Sequence, residues 1–287
     1  MSSPMRGLDR VTRLFWRATG RPVDLHDEHD WLDAPMNDGA LVGDAWLEGA
    51  ARAMGGSVEE GLDGAGLVPD MARLDGPTFR AADLRPEVRD FYEHTSRWRM
   101  EVWTQWAPLF QPGGELVSRL FGRRVQQLAL PTRPLDVAHG MDSRVVCLRD
   151  AEGRQRAAGW IRTLRSTGEY VYSGCYGIRA LPGTKQPSVH VSFPLEEGNV
   201  QVFLRPRALP DGSLELSSPA GPFGTDGAYV VVRDPRGPDR DVYAARAPIH
   251  ETFRVYVDRE GVVRTDHELR LFRARVVRLH YKLEPLP

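Results

Sequence analysis

SRVVCLRDAEGRQRAAGWIRTLRSTGEYVYSGCYGI, residues 143–178, holds three runs of alternating side chains, divided by Glu152-Gly153 and Thr167-Gly168. A period of two sends successive side chains to opposite faces of an extended chain, and a Gly-bearing pair between two such runs signals a hairpin. The runs predict strands over 143–149, 157–164 and 169–178. The pattern continues through 188–193, 199–205, 213–217, 227–233, 250–258, 262–272 and 275–283, with turns at Glu197-Gly198-Asn199, Asp211-Gly212, Gly237-Pro238 and Glu260-Gly261. In the last run Val277, Leu279, Tyr281 and Leu283 share one face, with Arg278, His280 and Lys282 on the other. About ten antiparallel strands have to hide their edges, by closing or by splitting into two layers. Short connections favour up-and-down closure, so residues 141–287 are expected to form an antiparallel β-barrel.

Residues 1–140 read differently, as helices joined by Gly/Pro/Asp-rich connections. Leu8, Val11, Phe15 and Ala18 lie on one helical face ahead of Gly20 and Pro22. A second helix is expected over 44–54, with Asp44 as N-cap and Gly55-Gly56 as stop. From 58 to 83 the chain reads as loop. PEVRDFYEHTSRWRMEVWTQW, residues 86–106, gives the strongest helical signal: Pro86 suits a first turn, and Val88, Phe91, Thr95, Trp98, Val102 and Trp106 recur at helical spacing. A further helix is expected over 115–129, before a linker at Pro131 and Pro134. The expected architecture is therefore α+β, a helical N-terminal region packed on a β-barrel of about ten strands.

Composition narrows the function classes. The formal net charge is -1 over 287 residues, so the basic excess of a nucleic-acid binder is absent. All but two of the 38 basic residues, Lys185 and Lys282, are arginine. That bias fits either anion recognition by the guanidinium fork or the codon usage of a GC-rich genome. Two cysteines, Cys147 and Cys175, make neither a disulfide framework nor a four-thiolate metal site. No run approaches the ~18 apolar residues of a membrane span, and the N-terminus shows no secretory h-region, so a cytoplasmic location is expected. Phosphate-binding, dinucleotide and nucleophile-elbow motifs are missing, and no cofactor is expected.

A few residues are candidates for chemistry. His26 and His29 lie among carboxylates in DLHDEHD, residues 24–30, but lack the distant third ligand of a zinc motif, and no metal is expected. His94 sits at the edge of the aromatic stripe that contains Trp98, as a general base, a ligand anchor or an interface histidine. Tyr170, Tyr172 and Tyr176 share one strand face, interrupted by Gly174, and offer ring area with polar tips to an amphipathic ligand. Cys175 falls on the opposite face. In RTDHELRLF, residues 264–272, the alternation sends Asp266 and Glu268 one way and His267 the other, so His267 is the inward candidate.

FYEHTSRWRMEVWTQW and RTDHELRLFRARVVRLHYKL resemble segments of a bacterial protein family without assigned function, a likeness that brings no catalytic residues with it. The strand pattern of 143–283 resembles that of lipocalin-like barrels, with Gly159-Trp160 a partial echo of their Gly-x-Trp signature. That likeness implies an interior that binds small apolar molecules. Three expectations stand together: a soluble protein binding a small, partly apolar molecule near Tyr170, Tyr172, Tyr176 and Trp98; a cofactor-independent isomerase or cyclase using His94, His267 and a tyrosine; and a non-catalytic interaction module presenting the Trp-rich helix.

Overall fold

The computed structural model describes residues 14–37, 39, 42–108, 140–234 and 241–286. Among them the chain is mostly antiparallel β-sheet, with fourteen strands. The N-terminal part supplies β1 (Arg21–Val23), β2 (Ser57–Glu59) and β3 (Trp98–Trp106). A meander follows: β4 (Met141–Arg149), β5 (Gln155–Leu164), β6 (Tyr170–Arg179), β7 (Ser188–Leu195) and β8 (Gly198–Ala208). The rest comprises β9 (Leu214–Ser217), β10 (Gly227–Arg233), β11 (Val242–Ala247), β12 (Ile249–Val257), β13 (Val263–Leu271) and β14 (Ala274–Pro285). All ten strands expected from alternation are present; β1, β2, β3 and β11 were not foreseen.

The expectation of a closed barrel under a helical N-terminal region is overturned. The main ladder runs β2-β4-β5-β6-β7-β8-β9-β12-β13-β14-β3 and stays open. Pairing details show why. The outer edge of β4 at Cys147–Arg149 is taken by β2, not by β3. Strand β8 also divides its partners: residues 198–203 pair with β10, which leads on to β11 and β1, while 205–208 pair with β9. The sheet branches at Leu204/Arg205 where a barrel would have continued. Its inner faces still curve about one shared core, in which Val145, Trp160, Val191, Leu204, Val255 and Leu279 meet.

The helix expected over 86–106 is half strand. Helix α2 covers only Pro86–Glu93, a 3-10 turn spans Thr95–Arg97, and β3 then pairs antiparallel with β14 from Trp98↔Pro285 to Trp106↔Val277. Thr95 Oγ1 donates 2.6 Å to Phe91 O and so closes the last helical turn. Asp90 ties the turn to the strand: Oδ1 accepts from His94 Nδ1 at 2.8 Å and Oδ2 from Trp98 Nε1 at 3.0 Å. Helix α1 is Trp46–Ala53, with Ala45 at its N-cap; Asp44, the expected cap, pairs instead with Arg144 at 2.6 Å. Residues 14–19 are helical, whereas the expected 115–129 helix and the Pro131–Pro134 linker lie outside the described residues. The stretch 58–83, expected as loop, instead holds most of β2 and 3-10 turns at Met71–Leu74 and Ala81–Asp83, and it feeds Leu67, Val68, Met71, Leu74 and Phe79 into the main core.

Two smaller clusters cover the outside of the meander. Trp46, Leu47, Ala50 and Ala51 of α1 pack on Val146, Leu148, Ile161 and Cys175. Gly159 makes this approach possible, since a Cβ there would come within 2.5 Å of Leu47 Cδ2. Further along, Leu25, Trp31 and Leu32 pack on Phe203, Tyr229 and Val231. Beside Leu32 lies a buried polar chain. Gln201 Nε2 donates to Leu32 O (2.6 Å) and Asn199 Oδ1 (2.8 Å), which leaves Gln201 Oε1 to accept from His190 Nε2 at 2.8 Å. The His190 ring stacks on Phe203 with centroids 4.5 Å apart. Burial, and then the charge of Arg179, hold the His190 pKa down at about 3, so the imidazole is neutral.

Candidate functional site

Residues of β5 to β9 and β12 to β14, with Leu67, Phe91, Tyr92 and Met100 from the N-terminal part, line a cavity of about 130 Å³. Its walls are aromatic and aliphatic, including Phe91, Tyr92, Trp160, Tyr172, Tyr176, Val191, Phe193, Leu204 and Phe253. Polar side chains also line it: Tyr172 and Tyr176, whose hydroxyls pair, Arg162 beside Tyr281, Glu251 beside His267, and Thr265.

On β6, Tyr172 and Tyr176 lie on the same face and their hydroxyls meet at 2.8 Å. Gly174 between them leaves the room, because a Cβ at that position would stand 3.1 Å from the Tyr172 hydroxyl and 3.2 Å from Phe193 Cε1. Trp160 of β5 meets both rings edge-on, at 5.5 and 5.6 Å. Burial raises the pKa of Tyr172 and Tyr176 well above the usual phenol value and that of Tyr281 above it, so all three stay neutral. Neutral phenols donate hydrogen bonds and orient a ligand; they do not act as nucleophiles at neutral pH.

Arg162 projects from β5 in register with Ala158 and Trp160, a lone cation on an otherwise apolar face. Its guanidinium lies 4.6 Å from the Trp160 ring centroid and 4.3 Å from that of Tyr172. Nη1 approaches Met100 Sδ at 3.1 Å, and the guanidinium also hydrogen-bonds the Tyr281 side chain.

Across the cavity, the His267 ring stacks on Phe253 with centroids 3.8 Å apart, and Nε2 lies 3.4 Å from Glu251 Oε1. Glu251 follows the same logic as Arg162: it interrupts the register Ile249, Phe253, Val255 on β12. A single charge in the apolar phase of a strand is a readable signal, and neither Arg162 nor Glu251 had been singled out from the sequence. Glu251 and His267 also line a wider depression of about 730 Å³ over the outside of β12–β14, so they stand between cavity and solvent. That outer depression carries charges paired with neighbours, such as Arg270–Glu268 (2.6 Å) and Arg254–Asp211 (2.7 Å), and encloses nothing.

Of the residues expected at a site, Tyr172, Tyr176 and His267 line the cavity. The other three stand elsewhere. Tyr170 packs toward the outer cluster beneath α1, because the pairing slips between Arg162↔Tyr172 and Thr163↔Tyr170. That β-bulge at Val171 turns Tyr170 to the opposite face from Tyr172. Trp98 is buried behind the cavity wall, its ring 6.0 Å from Phe91. His94 is half exposed at the end of α2 and held by Asp90. Cys175 points away from the cavity into the α1 cluster, where burial pushes its thiol up to about 12. Of the two acidic-loop histidines, His29 lies against Phe223 at 6.0 Å. No group of three His, Cys, Asp or Glu side chains suited to a metal occurs among the described residues. No described helix is long and apolar enough to cross a membrane.

Neither the family models, the curated proteins nor the solved structures contain a match to this chain.

Proposed function

We propose that the protein binds a small, partly apolar molecule in the cavity lined by β5 to β9 and β12 to β14. The observation that carries this reading is the lining itself: aromatic walls with a few convergent polar tips, the usual make-up of a ligand site. A void of about 130 Å³ is close to the ~150 Å³ at which an engineered apolar cavity in another protein takes up benzene. The fitting ligand is therefore of single-ring size. The test is ligand-observed NMR with toluene, comparing the parent protein with Val191→Phe, which fills the cavity opposite Tyr176. Saturable binding to the parent that disappears in a folded Val191→Phe variant is expected. Equal binding to both would refute the site.

A second reading, a cofactor-independent isomerase, rests on the Glu251–His267 pair at the cavity wall. A carboxylate beside an imidazole can relay a proton to a bound molecule. Under this reading, small keto acids incubated in D2O with the protein exchange their α-protons, and His267→Ala stops the exchange while binding persists. The interaction-module reading loses the helix it was built on, since Trp98–Trp106 is strand β3, on which Trp98 is buried and Trp103 exposed.

A further inference from the structure

We infer that Arg162 is the anchor for a carboxylate, and that the cavity's ligand is a small monocarboxylic acid of about benzoate size; this rests on the binding reading above. Arg162 is only 6% exposed, and a guanidinium stays charged at any pH a folded protein experiences. A buried cation is ordinarily matched by a carboxylate. Here none lies within 4.0 Å among the described residues: the one carboxylate in the cavity, Glu251, approaches His267 instead. The Trp160 and Tyr172 rings, 5.5 Å apart, lie against the guanidinium from the same side, and Tyr281 hydrogen-bonds it. Its donors are only partly matched. Tyr281 takes one hydrogen bond, Nη1 meets a thioether sulfur, a weak acceptor, and the buried Nε has no acceptor at all. The group thus rests against two aromatic rings with donors left over, the buried Nε among them, and a guanidinium fork with free donors is suited to receive carboxylate oxygens.

The rest of the lining sets the remainder of the ligand. Val191, Phe193, Leu204, Leu216 and Phe253 make an apolar body for the site, and beyond it the polar lining is Thr265 and the Glu251–His267 pair, whose carboxylate disfavours a second negative charge. The Tyr172–Tyr176 pair supplies hydroxyls near the anchor, which suits an acid head followed by an uncharged ring or branched chain.

Fluorine NMR with 4-fluorobenzoate and 4-fluorotoluene separates the anchor from the cavity, since the two probes share a body and differ in the head. The parent protein is expected to bind 4-fluorobenzoate at least ten-fold more tightly, and in Arg162→Met that ratio is expected to fall to near one. Removing an unmatched buried charge should also raise the Tm of the ligand-free variant. If the parent binds both probes equally, or prefers 4-fluorotoluene, the anchor is wrong while the cavity reading stands. If neither probe binds, both fail. Should Arg162→Met not fold, the ratio measured in the parent protein decides alone.

Discussion

Acidification to pH 5 should cost this protein stability through one residue, His190. Its imidazole is neutral in the fold, with a pKa of about 3 against 6.5 in an exposed chain. A depressed histidine contributes stability above its unfolded pKa, and the contribution is lost as pH falls, because the unfolded chain takes up a proton that the folded one refuses. Integrating between those two values, His190 alone removes about 2 kcal/mol between pH 7 and pH 5, and the slope approaches ~1.4 kcal/mol per pH unit at the acidic end. Few carboxylates titrate in that window, so the histidine signal stands clear of ordinary acid unfolding. The assay is urea unfolding followed by circular dichroism at pH 7, 6 and 5 in constant salt, for the parent and for His190→Gln. Glutamine keeps a neutral donor near Gln201 Oε1 but cannot take up the proton. The variant is expected to start less stable and to lose about 2 kcal/mol less than the parent on acidification. The same loss in both proteins, or no loss in the parent, would show that His190 is not the buried neutral group described above.

Two further outcomes follow from the same geometry. Asp90→Ala removes the carboxylate shared by His94 and Trp98; it should lower stability by ~1–2 kcal/mol in urea titration and leave toluene binding as in the parent, since neither residue lines the cavity. Cys147 and Cys175 are free and buried, and burial raises both thiols; a colorimetric thiol reagent at pH 8 should label them only in denaturant, and rapid labelling of the native protein would contradict the packing of Cys175 beneath α1 or of Cys147 in the main core.

How far the sequence could be read depended on which periods it left ambiguous. The ten strands from β4 onward other than β11 were legible because their alternation admits only one extended register. Residues 86–106 were not, for a simple geometric reason. A spacing of four residues is close to one helical turn and is also two full pleats, so Trp98, Val102 and Trp106 are in phase with both. The intervening residues held the answer: Arg99, Glu101, Trp103 and Gln105 alternate with inward positions all along β3. Tyr170 failed for another reason. Period-two counting assumes an unbroken ladder, and a one-residue bulge at Val171 reverses every face assignment beyond it. Closure was out of reach because it depends on pairings far apart in sequence: β2 with β4, and β10 with one half of β8. The cavity's charged residues were readable in principle, as single charges in an apolar phase, once the direction of that phase was known.

The pairing of β3 with β14 has a consequence for how the protein is made. Trp98–Trp106 is synthesised early and Ala274–Pro285 late, so β3 waits through the whole meander before its partner exists. Contacts so distant along the chain slow folding, since a long loop has to close before they yield anything. Meanwhile β3 presents a free edge carrying Trp98, Met100, Val102 and Trp106, a template for pairing with other nascent chains. The alternating Arg99 and Glu101 on its other face temper that edge without hiding it. Truncation within β14 would make the waiting permanent, turning a folding intermediate into the end product and leaving both β3 and β13 open to aggregation.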